Sequence, residues 1–316
     1  MKYAVIFPGQ GAQSVGMMNE YANCNTVRET FNTAKKVLGI DLWDIQANAD
    51  SQKLAKTTIT QPLLLTAGVA VYRYFQEHLN IPPSYAAGHS LGEYCALVVA
   101  ESINFENALL VVNQRAQLME STAKDSIGAM AAVLNSTKDV IINACEEASG
   151  NFDGEEQSVE AVNYNSPEQI VIAGHKSAVI RCCEILKSQG VKRTILLSVS
   201  GAFHSKLMQG ASDAMIEVLA KTEVNPPKIP VFHNVDLNSY NNPDDIRKAL
   251  AMQVASPVRW YEIIQKFYDL GIRNIIESSP SKVLSGLNKK IAVELNSISL
   301  FTPDDCRNTS NNLIKE

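Results

Sequence analysis

Short apolar runs alternate with stretches of helical periodicity along most of the chain. The run Tyr3-Ala-Val-Ile-Phe7 is apolar throughout, as expected of a parallel strand that is buried on both faces. Further runs at 229–234 and 274–277 predict two more strands. Helical patterns fill the segments between them, at 26–38, 62–79, 93–100, 104–122, 205–221, 243–252, 260–270 and 281–291. This alternation predicts an α/β domain with a parallel sheet.

The middle of the chain has a different order of elements. Strand patterns at 127–134, 159–164, 169–173 and 193–197 enclose helical patterns at 137–148 and 177–189, with a polar loop at 151–157. The order β-α-β-β-α-β is that of a ferredoxin-like unit. We therefore predict a small subdomain at 127–197, inserted into a large subdomain that comprises 1–126 and 198–316. The polar stretch from Pro303 onwards is expected to be a loosely held tail.

Composition and charge exclude several classes of protein. The chain has 316 residues with 46% apolar and 19% charged residues, which is typical of a water-soluble globular protein. A net charge of −5 argues against general nucleic-acid binding. Six cysteines without metal-site spacing predict reduced thiols, a cytoplasmic location and no bound metal. With no signal peptide and no apolar run of about 18 residues, we expect no membrane association.

The stretch Tyr85-Ala-Ala-Gly-His-Ser-Leu-Gly-Glu-Tyr94 contains a G-x-S-x-G pentapeptide between a small-residue run and a helical pattern. This is the strand–turn–helix context of a nucleophile elbow, so Ser90 is the candidate nucleophile. Glycines flank the serine because a Cβ there would clash with the neighbouring strand and helix. The alternative is a tight connection whose serine only caps the helix. The glycine-rich turn at 8–13 lacks a phosphate-loop pattern but can present a backbone N–H to the same site.

A serine nucleophile needs a base, and histidine is the usual one. Of the five histidines, His204 is favoured because it follows a strand of the large subdomain and lies C-terminal to Ser90, with His233 as the alternative. No acidic residue stands in a telling position to orient His204, so a Ser–His dyad is expected. The acidic candidates without distinguishing context are Asp213, Asp236 and Glu277.

Arg115 lies next to an apolar helix stripe formed by Leu109, Val112, Ala116 and Met119. A charge turned toward the interior needs a partner or a cavity, because burying it alone is very costly. The alternative is an arginine that extends from the stripe edge into solvent.

Several motifs together resemble the signature set of malonyl-CoA:acyl carrier protein transacylases, in order and over residues 3–291. That family pairs an α/β-hydrolase-like large subdomain with a ferredoxin-like small one, which agrees with the pattern above. The motifs are Phe7-Pro-Gly-Gln10-Gly-Ala-Gln13, Gly88-His-Ser-Leu-Gly-Glu-Tyr94, Arg115, Asn163-Tyr-Asn-Ser-Pro167, Gly201-Ala-Phe-His204-Ser205 and Gln253-x3-Pro257-Val-x-Trp260.

The resemblance implies a role for each matching residue. It implies ping-pong transfer of malonyl from malonyl-CoA, by way of an ester on the serine, to the phosphopantetheine thiol of acyl carrier protein. We expect a monomer that needs no cofactor. Fatty acid and polyketide synthesis both remain open as the pathway, and so does methylmalonyl-CoA as a substrate. The implied roles are nucleophile for Ser90, base for His204, oxyanion-hole N–H donors for Gln10 and Leu91, malonyl carboxylate binding for Arg115, and orientation of His204 by the main-chain carbonyl of Gln253.

Two positions depart from the family pattern. The chain reads Glu277-Ser-Ser-Pro-Ser281 where a Glu-x-Gly-Pro-Gly turn is common, and Cys95 stands where serine is frequent. Serine is strained at positive φ where glycine is not, so the conformation of this turn is an open question.

Two other functions compete with the transferase. An acyl hydrolase would keep the dyad but would not need Arg115, and a non-catalytic subunit would not need any of these residues.

Overall fold

The structure is a computed structural model, and it describes residues 2–125, 128–152, 154–199 and 201–315. The strands, numbered in chain order, are β1 Tyr3–Phe7, β2 Tyr85–Gly88, β3 Gly128–Leu134, β4 Gly150–Phe152, β5 Glu155–Gln157, β6 Val159–Ser166, β7 Gln169–His175, β8 Arg193–Leu196, β9 Val231–Phe232, β10 Asn274–Glu277 and β11 Asn296–Ser299. The α-helices are α1 Asn25–Leu38, α2 Leu42–Asn48, α3 Ser51–Leu54, α4 Thr57–Leu79, α5 Gly92–Val99, α6 Phe105–Asp125, α7 Lys138–Ala148, α8 Lys176–Ser188, α9 Gln209–Ala220, α10 Pro243–Gln253, α11 Trp260–Asp269, α12 Val283–Ile291 and α13 Pro303–Lys315.

The large subdomain is organised around a five-stranded parallel sheet with the order β11-β10-β1-β2-β9. The central strand β1 is buried along its whole length. Tyr3, Val5 and Phe7 face the main core, which includes α4 and α5, whereas Ala4 and Ile6 face a second core that includes α11. Layers of helices on both faces explain why this strand reads as an unbroken apolar run.

The small subdomain is a four-stranded antiparallel sheet with the order β6-β7-β3-β8. The helices α7 and α8 cover one face, where Ala131 and Val133 of β3 join a separate core. Met130 and Ala132, on the opposite face of β3, join the main core of the large subdomain. The α/β architecture with an inserted β-α-β-β-α-β unit is therefore confirmed. The predicted boundary at 126/127 falls on two residues outside those described, so this division of the chain stays a prediction.

Two expectations for polar segments were wrong. The stretch from 303 forms helix α13, which buries Cys306, Thr309, Ser310 and Leu313 against the rest of the large subdomain. These positions are spaced by three and four residues, so a narrow stripe anchors a helix whose other faces are polar. The expected loop at 151–157 contains the two-stranded ladder β4–β5. Within the described residues, no helix is both long and apolar enough to cross a membrane.

Candidate active site

Ser90 occupies a sharp turn between β2 and α5. Its φ is +51°, in the left-handed region that is strained for a residue with a side chain. A Cβ on Gly88 would lie 1.8 Å from the carbonyl carbon of Gly92, and a Cβ on Gly92 would lie 2.1 Å from the Phe7 carbonyl oxygen. The two glycines are therefore needed for strand, turn and helix to pass so closely, as the pentapeptide predicts.

The structure brings His204, and not His233, to Ser90. Ser90 Oγ lies 2.8 Å from His204 Nε2, and His204 Nδ1 lies 2.8 Å from the main-chain oxygen of Gln253. A carbonyl oxygen only accepts, so Nδ1 carries the proton and Nε2 is free to accept the serine proton. The alternative base, His233, instead pairs with Glu93 at 2.7 Å.

The acidic residues considered as partners of His204 have other roles. Asp213 accepts a hydrogen bond from Gln209, and Asp236 accepts one from Tyr240. Glu277 accepts from Ser281 and Ser285 in its own turn. A main-chain carbonyl therefore occupies the place that a carboxylate has in a Ser-His-Asp triad.

Burial, reinforced by the positive charge of Arg115, lowers the pKa of His204 to about 3. The imidazole is thus neutral, and able to act as a base, throughout the physiological pH range. The backbone of His204 has a φ of +66°, which is in the left-handed region like that of Ser90. Ser90 and His204 are both held in conformations that the surrounding structure must impose.

Arg115 is fully buried on α6, which excludes the solvent-extended alternative. Its Nη1 donates to Gln61 Oε1 at 2.7 Å, and its Nη2 donates to Gln253 Oε1 at 2.8 Å and to Ser90 Oγ at 3.0 Å. All three partners are neutral oxygens, and the Glu93 carboxylate lies one residue further away, beyond the side-chain amide of Gln253. Burial accordingly lowers the pKa of Arg115. A buried guanidinium beside Ser90 is suited to a substrate that carries an anionic group.

Gln10 and Leu91 line the same small cavity, of about 90 Å³, as Ser90 and His204. The register of β1 with β2 pairs Phe7 with Gly88, so the loops after both strands leave the same edge of the sheet. Leu91 stands at the start of α5, where backbone N–H groups lack partners within the helix.

Sequence reasoning overlooked the residues that hold the turn from behind. The Ser90 N–H donates to Asn234 Oδ1 at 2.7 Å, and Asn234 Nδ2 donates to the Gly88 carbonyl at 2.7 Å. His89 Nε2 lies 2.8 Å from Asn165 Oδ1 of the small subdomain. Asn165 belongs to the Asn-Tyr-Asn-Ser-Pro motif, so that motif was the available signal. Asn234, by contrast, had no signal beyond its place after an apolar strand.

The departure at 277–281 has a simple structural explanation. No serine among the described residues of this turn has a positive φ. Ser281 Oγ donates to Glu277 Oε1 at 2.7 Å, and Ser278 Oγ donates to the Gly68 carbonyl at 3.0 Å. Ser281, at one of the two glycine positions, therefore makes a hydrogen bond that glycine could not, whereas the buried Oγ of Ser279, at the other, has no partner among the described residues. Cys95 is buried against the carbonyls of α4.

The chain is similar to known proteins over nearly its whole length. The family model described as the acyl transferase domain matches residues 4–298. The malonyl CoA-acyl carrier protein transacylase of Escherichia coli K12 is 43% identical over 303 residues, which cover 96% of each chain. The crystal structure of an acyl-carrier-protein S-malonyltransferase from Burkholderia pseudomallei 1710b superimposes with a TM-score of 0.95 at 44% identity, covering 98% of this chain and 100% of that one. A malonyl-transacylase in complex with a type II PKS acyl-carrier protein superimposes with a TM-score of 0.94 at 39% identity, covering 99% of this chain and 100% of that one.

Proposed function

The chain belongs to the family of malonyl CoA-acyl carrier protein transacylases, and we propose that Ser90 carries the malonyl group between the two thiols. The observation that supports this most directly is the continuous contact of Arg115 Nη2, Ser90 Oγ and His204 Nε2, at 3.0 and 2.8 Å. The proposed base and the proposed binding group for a carboxylate thus each lie within one hydrogen-bond length of the proposed nucleophile.

In the first half-reaction His204 Nε2 accepts the proton of Ser90 while Oγ attacks the thioester carbonyl of malonyl-CoA. The oxyanion of the tetrahedral intermediate takes hydrogen bonds from the N–H groups of Gln10 and Leu91. Collapse of the intermediate breaks the C–S bond, and His204 returns the proton to the departing CoA sulfur. The phosphopantetheine thiol then attacks the Ser90 ester by the same steps in reverse.

Arg115 selects the substrate by binding its carboxylate. A carboxylate can accept two parallel charge-assisted hydrogen bonds from the planar guanidinium, whereas the present partners of the guanidinium are neutral oxygens. Acetyl-CoA offers no such group. This separates the proposal from an acyl hydrolase for plain acyl chains, which would have no use for a buried cation beside the nucleophile.

The second substrate is an acyl carrier protein, and such proteins are typically acidic. Because this chain carries a net charge of −5, docking requires a locally basic surface. Our candidates are exposed residues on both subdomains: Lys187, Lys192, Arg193, Lys289 and Lys290. Lys290 also pairs with Glu168 of the small subdomain at 2.9 Å.

We further propose that the protein is a cytoplasmic monomer, that it uses no metal or other cofactor, and that it acts without nucleic acid or a membrane.

The experiment that tests the function separates transfer from hydrolysis. Enzyme loaded with malonyl-CoA is freed of CoA and divided between buffer, carrier protein with its phosphopantetheine arm, and the same carrier protein without the arm. We expect the malonyl group to move to the carrier that has the arm, with little free malonate in the other two samples. Equal release of malonate in all three would make the protein a hydrolase. Comparing fatty acid and polyketide carrier proteins in this assay assigns the pathway.

A further inference from the structure

Glu93 is a fully buried carboxylate that the reaction steps above do not use. Its Oε1 lies 2.7 Å from His233 Nδ1, and its Oε2 accepts from the Asn234 N–H and from Gln253 Nε2, both at 2.9 Å. A buried charge is tolerated only when it is fully hydrogen-bonded, and these three donors meet that requirement. Glu93 thus binds two residues that themselves contact the nucleophile.

Those two residues hold both main-chain groups of Ser90. The Asn234 side chain accepts from the Ser90 N–H at 2.7 Å, and Gln253 Nε2 donates to the Ser90 carbonyl at 2.9 Å. Gln253 also accepts from Arg115 through Oε1 and from His204 through its main-chain oxygen. Gln253 therefore contacts Ser90, His204 and Arg115 together.

The amide of Gln253 works only in one orientation. As placed, Nε2 faces two acceptors, the Ser90 carbonyl and the Glu93 carboxylate, while Oε1 faces the guanidinium of Arg115. Rotating the amide by half a turn would bring its oxygen against two acceptors and its NH₂ against the cation. Of the two hydrogen bonds that Gln253 Nε2 donates, the one to Glu93 is charge-assisted. It therefore contributes more to holding the amide in this orientation.

We propose that Glu93 is a positioning residue that fixes the side-chain amide of Gln253 and, through it, the guanidinium of Arg115. It thereby determines specificity for acyl groups with a terminal carboxylate. This inference rests on the function proposed for Arg115. The competing view is that Glu93 only ties the start of α5 to the segment after β9, which would stabilise the fold without regard to substrate.

Two variants separate these views. Glu93→Met is of similar length but offers no acceptor, so Gln253 loses its orienting partner. Glu93→Gln keeps an acceptor oxygen for Gln253 and Asn234, and its NH₂ can donate to His233 once that ring carries its proton on Nε2. Ser212→Ala is the matched control, because it removes another buried hydrogen bond to α10, from Ser212 Oγ to the Ala251 carbonyl at 2.8 Å, without touching Glu93.

The measurement is kcat/KM for loading of malonyl and of acetyl from their CoA thioesters, by intact mass, normalised to titrated active sites. We expect Glu93→Met to lower malonyl loading about 10-fold or more and acetyl loading less than about 3-fold. The expected size is that of one buried hydrogen bond to a charged group, because the amide of Gln253 would no longer be oriented toward Arg115. Glu93→Gln should lose less malonyl loading than Glu93→Met, because its oxygen still accepts from Gln253 although the bond is no longer charge-assisted, and Ser212→Ala should stay within about 3-fold of the parent for both substrates. If Glu93→Met does not fold, Glu93→Asp replaces it, since the shorter carboxylate cannot reach Gln253 and should give the same selective loss.

Parallel loss on both substrates in Glu93→Met or Glu93→Asp would overturn the inference, and so would damage in Glu93→Gln equal to that in Glu93→Met. Arg115→Ala is measured in the same series to keep the two proposals apart. If Arg115→Ala lowers malonyl loading more than acetyl loading and the Glu93 variants do not, only the role of Glu93 is wrong. If Arg115→Ala lowers the loading of both substrates equally, the function proposed for Arg115 is wrong.

Discussion

Replacing Arg115 by alanine removes the group that we expect to distinguish malonyl from acetyl. In the free enzyme the guanidinium is not without partners, since Gln61, Gln253 and Ser90 all accept from it. The acetyl reaction in the parent enzyme therefore leaves the guanidinium without a directly bound carboxylate, but not without hydrogen bonds. This is a smaller penalty than burial of an unpaired arginine would impose.

The size of the loss in malonyl loading follows from the hydrogen bonds that the guanidinium exchanges when a carboxylate binds. Two charge-assisted bonds to a carboxylate contribute about 1.5–3 kcal/mol each, or about 3–6 kcal/mol in total. Binding replaces bonds to neutral oxygens that already exist, so we expect the net loss in Arg115→Ala near the lower limit, about 3 kcal/mol. That corresponds to a fall of about 10²-fold in kcat/KM for malonyl-CoA. Acetyl-CoA should react as fast as in the parent or faster, because Ser90 Oγ no longer accepts from a cation.

The assay compares single-turnover loading of Ser90 by malonyl-CoA and by acetyl-CoA in the parent, Arg115→Ala and Arg115→Lys. Lysine should restore little, because a point charge cannot make the two parallel bonds. An equal loss on both substrates would refute the argument and would assign Arg115 to the stability of the fold.

Two further predictions concern the base and the carrier protein. Because burial and Arg115 hold the pKa of His204 near 3, malonyl loading should stay constant from pH 8 down to about pH 5, where a histidine with the ordinary value of about 6.5 would already be protonated. A loading rate that halves near pH 6.5 would contradict this, and His204→Ala should slow loading by about 10²–10⁴-fold at every pH. Charge reversal to glutamate at Lys187, Lys192, Arg193, Lys289 and Lys290 should raise the KM for carrier protein and leave malonyl-CoA loading unchanged, with exposed Lys36→Glu on α1 as the control. An unchanged KM in the fivefold variant would place the docking surface elsewhere.

The strongest periodic patterns predicted the fold well. The run at 3–7 and the β-α-β-β-α-β order are set by local burial, which the sequence displays directly. Helix α13 escaped prediction because only its narrow stripe is buried, and the strand predicted at 229–234 shrank to Val231–Phe232 at the edge of the sheet. The short elements α2, α3 and β11 also went unpredicted, since each is too brief for periodicity to show.

The site divides in the same way. Ser90, His204 and Arg115 stand in local contexts that suggest chemistry, so the residues alone made them candidates, each with an alternative still open. Gln253 entered only through the family resemblance, because a main-chain carbonyl leaves no trace in the sequence. The contact of Glu93 with Asn234 joins positions 141 residues apart, and only the folded chain shows it.

Incubation of the parent enzyme and Ser90→Ala with malonyl-CoA, followed by intact mass analysis, tests the central claim most directly. The account predicts one malonyl group on the parent enzyme and none on Ser90→Ala, because no other residue among the described ones that line the cavity carries a hydroxyl or a thiol. Ser90→Ala and the parent should both remain folded, as judged by their thermal unfolding. A malonyl adduct of equal yield on folded Ser90→Ala would contradict the account.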